Sequence, residues 1–183
     1  NLLGTGDHKA IGISYLVLAL VFGVAGWIVT ALWGAHQVGD GGFLTNDAAQ
    51  TLFTGGHLGL VLLMLLPLLL GLAIYVVPLQ VGANTIAFPR AAAASLWTWL
   101  LSAGVFIVAN AIDGGVGGGI EKAVSMVLLA IIGLALSLML ATVCVITTAV
   151  ALRTPGMSLD RAPFFTWSAL VGGSVWLLTL PVL

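Results

Sequence analysis

Few residues in this sequence could do chemistry inside an apolar protein, and His57 leads them. It stands in Thr54-Gly55-Gly56-His57-Leu58-Gly59, near the start of a long apolar run. A neutral imidazole is a strong ligand for haem iron, copper or zinc. Gly55 and Gly59 form a pair of small residues four apart, which lets a helix or a flat cofactor approach the backbone. Gly56 and Gly59 are therefore candidate cofactor contacts beside His57. A histidine at the interface, bonded to a loop carbonyl, would look the same in sequence. His8, in Asp7-His8-Lys9, reads as a solvated cluster at headgroup level, and His36 as a residue of the first outer loop. Three histidines at three depths, with no His-x-x-x-His pair and no carboxylate partner, make no shared metal site. Cys144 is the single cysteine, so no disulfide framework or cysteine-based metal site can be built within the chain.

The other buried polar groups are neutral: Ser14, Tyr15, Thr30, Asn110, Ser137, Thr142, Thr147 and Thr148. Hydroxyls in membrane helices usually bond the carbonyl one turn back. With no Asp or Glu in the middle of any apolar run, a carboxylate-driven proton carrier has no support. The stretch from Gly114 to Gly119 is rich in glycine but lacks the Lys-Ser/Thr ending of a phosphate loop, and reads as a flexible connector.

The elements that position these residues can be read from composition. Of 183 residues, 61% are hydrophobic and 6% charged, with five Lys plus Arg against six Asp plus Glu. Eleven charges cannot coat a soluble globule of this length, and disorder needs the opposite balance. The chain reads as an all-α integral membrane protein in a single transmembrane domain. The near-zero net charge gives no basic face for nucleic acid. Five apolar runs meet the requirement of about 20 residues for a spanning helix. They are Ile11 to Trp33, Leu52 to Val77, Ala92 to Ile112, Ala123 to Leu152 and Phe164 to Leu183.

Lys9, Arg90, Arg153 and Arg161 fall on one side of that topology. Lys122, Asp40, Asp47, Asp113 and Glu121 fall on the other, so the N-terminus is expected in the cytoplasm. Asp47 with Gln50 resembles a capping box opening the second span. Pro67 should kink that span and free a carbonyl, with Pro78 just past its end. The six tryptophans are expected mostly at helix ends as interfacial anchors. The sequence lacks a starting Met and stops inside an apolar run, so a trimmed N-terminus and an unfinished last helix are expected.

The connectors carry more specific patterns. Asp7-His8-Lys9-Ala10-Ile11-Gly12 with Tyr15-Leu16, and Leu44-Thr45-Asn46-Asp47 running on to Leu52-Phe53-Thr54, resemble the opening of subunit I of the haem–copper terminal oxidases (the cytochrome c oxidase subunit I family). Pro78-Leu79-Gln80-Val81-Gly82-Ala83 with Ala87-Phe88-Pro89-Arg90 resembles that family's signature between its second and third helices. Arg153-Thr154-Pro155-Gly156-Met157-Ser158-Leu159-Asp160-Arg161, with Pro163, Phe165 and Trp167, resembles the stretch leading into its fifth helix. Leu180-Pro181-Val182-Leu183 resembles that helix's interior. The patterns keep family order and spacing over nearly the whole chain.

The resemblance implies the first five helices of a respiratory subunit in a bacterial cytoplasmic membrane. Its partners would be other oxidase or respiratory-complex subunits and the lipid bilayer, with cytochrome c or quinol as electron donor. It also implies a low-spin haem whose iron takes one axial histidine from the second helix. His57 is the candidate here. The family pattern, however, sets one residue between Thr and His, which puts Gly56 at the expected place. One residue is about 100° of helix rotation, which a one-residue bulge could correct. Three further departures accompany it. Thr30 stands near the place of an arginine that bonds a haem substituent. Thr85 replaces the aspartate that opens a proton path, and Ile74 replaces an asparagine. Arg90 keeps the family residue, as a structural bond to a loop carbonyl or a lipid headgroup. The copper and high-spin haem ligands of the family come mainly from later helices, so copper is not expected within this chain. Two readings result: the N-terminal half of a catalytic subunit I, or a degenerate paralogue with a structural or assembly role.

Overall fold

The computed structural model describes residues 6–38, 44–112, 115 and 120–179. Asp40, Asp113, most of the glycine-rich connector and the pattern Leu180–Leu183 lie outside the described residues. The described residues are helical apart from short connectors. Helix α1 is His8–Val38, and α2 is the continuous Asn46–Val81. Then come α3 (Pro89–Ala111), α4 (Glu121–Ala151) and α5 (Phe164–Thr179). Four of them, α1 to α4, are long and apolar enough to cross a membrane, and α5 is a shorter apolar helix of 16 described residues. This is an all-α membrane protein. The helices outrun the expected spans at several ends because apolar character falls away in the headgroup region before helical hydrogen bonding does.

Two helix ends differ from expectation. The cap of α2 is Thr45, whose hydroxyl accepts from Ala48 N–H at 3.3 Å, not Asp47. Asp47 instead lies in the first turn, where its negative charge meets the positive end of the helix dipole. Pro78 lies inside α2, which continues to Val81. The helix then closes on Gly82, whose φ of 69° is left-handed. Ala83 N–H donates to Pro78 O at 2.8 Å and Gly82 N–H to Leu79 O at 3.4 Å. That is the Schellman pattern, in which glycine accepts a backbone that a side chain would strain.

Pro67 does disturb α2, by widening it rather than breaking it. Residues Leu60–Leu65 form a single π segment, and Leu66 N–H reaches back five residues to Val61 O. In that register the next donor would be residue 67, which as proline has none. The carbonyl next in line, Leu62 O, accepts from Trp99 Nε1 at 3.3 Å. Trp99 is therefore not an interfacial anchor. It is fully buried, stacked near Tyr15 and edge-on to Phe22, with ring centroids 5.4 and 5.5 Å away. An indole can be buried when its N–H finds an acceptor, and the proline supplies one.

Glycine brings α1 and α2 together along their length. A Cβ on Gly12 would lie 3.0 Å from Gly71 O, and one on Gly71 would lie 3.1 Å from Gly12 O. The backbones thus meet directly there. Farther along, Gly23 faces Met64 and Gly26 faces Leu60. The core lies between α1, the inner half of α2, α3 and α4. Tyr15 departs from expectation, its hydroxyl donating to Ser95 Oγ of α3 at 3.1 Å, while several serine and threonine hydroxyls in and around the core bond locally. Ser14 donates to Ala10 O, Thr30 to Gly26 O, Thr142 to Leu138 O and Thr148 to Cys144 O, at 2.6–2.9 Å.

Candidate functional site

The outer half of α2 holds the candidate ligand and its neighbours. Residues 46–59 are regular α-helix, so the Gly55-Gly56 pair absorbs no bulge. Gly56 is buried and faces α1, where a Cβ would lie 3.3 Å from Val29 Cγ1 and 3.7 Å from Thr30 Oγ1. His57, one residue on, is exposed. Its Nδ1 lies 2.7 Å from Phe53 O, one turn back. That carbonyl can only accept, so Nδ1 is the donor, and in the neutral ring Nε2 would be the nitrogen left to accept or ligate. Phe53 lies against the imidazole with ring centroids 4.3 Å apart, and Trp33 meets it edge-on at 6.5 Å. Gly59 points elsewhere, toward Phe106. The candidate residues Gly56, His57 and Gly59 thus face three directions.

This arrangement tests the expected haem. The position facing α1 bears no ligating atom, and the His57 imidazole lies exposed beside Trp33 and Phe53. Thr30 has its hydroxyl turned back on Gly26 O and offers no long cationic arm. The seam between α1 and α2 thus offers no ligating atom of its own, and His57, on the exposed face of α2, is the candidate that remains. Among the described residues no group of three or more His, Cys, Asp or Glu could hold a metal ion.

The remaining histidines differ from their sequence reading. His8 is not a solvated residue: it is 4% exposed, and neither ring nitrogen has a hydrogen-bond partner. Asp7 Oδ1 stands 3.8 Å from its Nδ1, too far for a hydrogen bond. His36 is half-buried and accepts from Leu44 N–H at 3.3 Å. It lines an open cavity of about 320 Å³ with Trp33, Gln37, Asn46, Gln50 and Phe53.

At the opposite end, the patterned connectors meet one another. Ala87 N–H donates to Thr148 Oγ1 at 2.8 Å, and Thr154 N–H to Val81 O at 3.1 Å. Thr166 Oγ1 donates to Gln80 Oε1 at 2.7 Å. Gly6 lies against Pro89, and Gly82 against Thr154. The segment 82–88 is thus held at both ends, by Thr148 in the last turn of α4 and by Thr154 just beyond that helix. Phe88, at φ 53°, is in left-handed backbone, as the non-glycine residue that turns this segment into Pro89. The patterns are visible in the sequence but their mutual bonds are not, because hydrogen bonds across 61 or 86 residues leave no local signal.

The family model for cytochrome c and quinol oxidase polypeptide I matches residues 10–183. The chain belongs to that family. It is 33% identical, over 99% of its length, to a probable cytochrome c oxidase subunit 1-alpha of Streptomyces coelicolor. Over its full length it is 34% identical to a probable cytochrome c oxidase subunit 1-beta of Nocardia farcinica. Over 91% of its length it is 35% identical to a heme-copper oxidase subunit I+III of Aeropyrum pernix. The chain spans 34% of the length of the first two and 22% of the third.

Proposed function

We propose that this oxidase-family chain is a membrane-embedded component of a respiratory terminal-oxidase assembly, and that its five helices act there as scaffold rather than as haem carrier. The assembly's reaction would be electron transfer from cytochrome c or quinol to oxygen, with proton translocation. Its copper and high-spin haem would be held by residues outside this chain. The orientation proposed is an N-terminus in the cytoplasm of a bacterial cell, with α5 as the fifth span.

One observation carries the scaffold reading. Gly56 and Thr30 stand against each other across the α1–α2 seam, a Cβ on the one lying 3.7 Å from the hydroxyl of the other. Gly56 stands where the family resemblance calls for a haem-ligating histidine, and Thr30 stands near the place where it calls for a haem-bonding arginine. Loss of both would remove an iron ligand and a bond to a haem substituent from the same stretch of the seam. The inner connectors, in contrast, keep the bonds that hold the helices in order. A helix frame that persists without its cofactor contacts is what an assembly or structural subunit requires.

His57 as an axial ligand is the second reading. The bond to Phe53 O favours it, because it leaves Nε2 free and fixes the ring. Haem content decides between the two. The scaffold reading expects the chain, purified from membranes with its partner subunits, to contribute no haem that depends on His57. The reduced spectrum and the pyridine haemochrome value should be unchanged in His57→Ala. Loss of one haem per complex in that variant would establish the ligand reading instead.

A further inference from the structure

The π segment at Leu60–Leu65 does more than accommodate Pro67. A π turn takes up one residue more than an α turn before the chain returns to the same direction. Everything on its outer side is therefore turned by about one residue, or about 100°, relative to the inner half of the same helix. The inner half is fixed, since Gly71 meets Gly12 backbone to backbone and Gly82 packs on Thr154. The rotation must then appear in the outer half, where Gly56 and His57 are.

Counting back from Pro67 gives the sense of the turn. His57 is ten residues before it and Gly56 eleven. Because the π segment absorbs one residue, Gly56 occupies the direction and height that the tenth residue would have in an uninterrupted α-helix. We infer that the π segment selects which of Gly56 and His57 faces α1: in the π register Gly56 lies against Val29 and Thr30, and in an α register His57 would take that same place. The outer half of α2 is thus a two-register element, and the imidazole is inside the seam in one register and outside it in the other.

Two local features hold the π register. Pro67 lacks the N–H that an α register would donate to Leu63 O, and its ring would press on that carbonyl. Trp99 Nε1 takes up Leu62 O, so the carbonyl released by the wider turn is not left bare in an apolar core. Removing both supports favours regular α-helix, with the stable inner half as the fixed reference. The register sets the direction of a side chain and is independent of whether the assembly carries haem on this chain.

Disulfide trapping in membranes, with copper phenanthroline as oxidant and mass spectrometry of the linked peptides, reads the register. Cys144, the one native thiol, is buried on α4. With native Pro67 and Trp99, Thr30→Cys should link to Gly56→Cys at least tenfold more than to His57→Cys. In Pro67→Ala/Trp99→Phe the preference should reverse. A second variant, one leucine inserted after Leu63, keeps the proline and the tryptophan. It should also bring position 57 to Thr30→Cys, because the added residue shifts the outer half by one place. An unchanged preference for position 56 in the insertion variant overturns the inference, as does equal linking of both positions in the native background.

Discussion

The two ends of this bundle were built under different demands. At the end bearing Lys9, Arg90 and Arg153, segments far apart in sequence are tied by side chain and backbone. Ala87 bonds Thr148, Thr154 bonds Val81, and Gln80 bonds Thr166. At the other end α2 opens on a single threonine cap, and the side-chain bonds there are short in range, such as Leu44 N–H to His36 Nδ1 and Asn110 Nδ2 to Phe106 O. His57 is exposed, and Asn110 Oδ1, beside Gly55, is buried with no hydrogen-bond partner. The long-range ties are thus concentrated at the end where the connectors carry the family pattern. Stability should therefore be concentrated where those ties are.

The largest test strikes the inner half. Gly71→Leu should cost about 3 kcal/mol or more, as overpacking against rigid backbone does at its worst. A Cβ there would lie 2.7 Å from Tyr15 Cβ, 3.1 Å from Gly12 O and 3.2 Å from Leu16 N, and two of those three atoms are backbone. Reversible unfolding in mixed micelles measures the loss. A loss below about 1 kcal/mol, the scale of an ordinary point substitution, would mean the inner half is not the stable reference. Next comes Thr148→Val, which keeps the shape and removes the acceptor from Ala87 N–H. A buried N–H left unpaired costs about 1–3 kcal/mol. The same unfolding measurement should find the loss, and proteolysis of the 82–88 segment should accelerate with it.

How much of the molecule is legible in its sequence depends on the range of the interaction. Apolar runs give the helices, and the family patterns give their order, because both are local. Pro67 is readable as a disturbance, but not as the cause of a π segment, since that outcome depends on Trp99 arriving from another helix. Trp99 itself reads as an anchor for the same reason, and the structure buries it. His8 looks solvated from its charged neighbours, yet burial is set by packing that its neighbours do not encode. Gly56 is readable as standing where a histidine is expected. Which way His57 then points depends on a register change three to eight residues later.

At the outer end smaller effects are expected. Thr45→Ala removes the hydroxyl that accepts from Ala48 N–H, and caps of this kind are worth about 1 kcal/mol. Because α2 is long and its inner half is anchored, the loss should appear as faster amide exchange over residues 46–50, with little change in global unfolding. A global loss equal to that of Thr148→Val would erase the contrast between the ends.

The smallest effect is expected at His57, where the comparison is sharpest. Its imidazole is exposed and bonds only its own helix, at Phe53 O, with Phe53 and Trp33 beside it. A local side-chain-to-backbone bond in a helix competes with bonds the carbonyl already makes, so removing it frees little. His57→Ala should change stability by less than about 0.5 kcal/mol, as surface substitutions do, and alanine's helix propensity works in its favour. If His57→Ala were instead as damaging as Thr148→Val, the residue would be held by something outside this chain. A partner helix or a bound group would then be using Nε2, and the outer end would be an occupied site rather than a relinquished one.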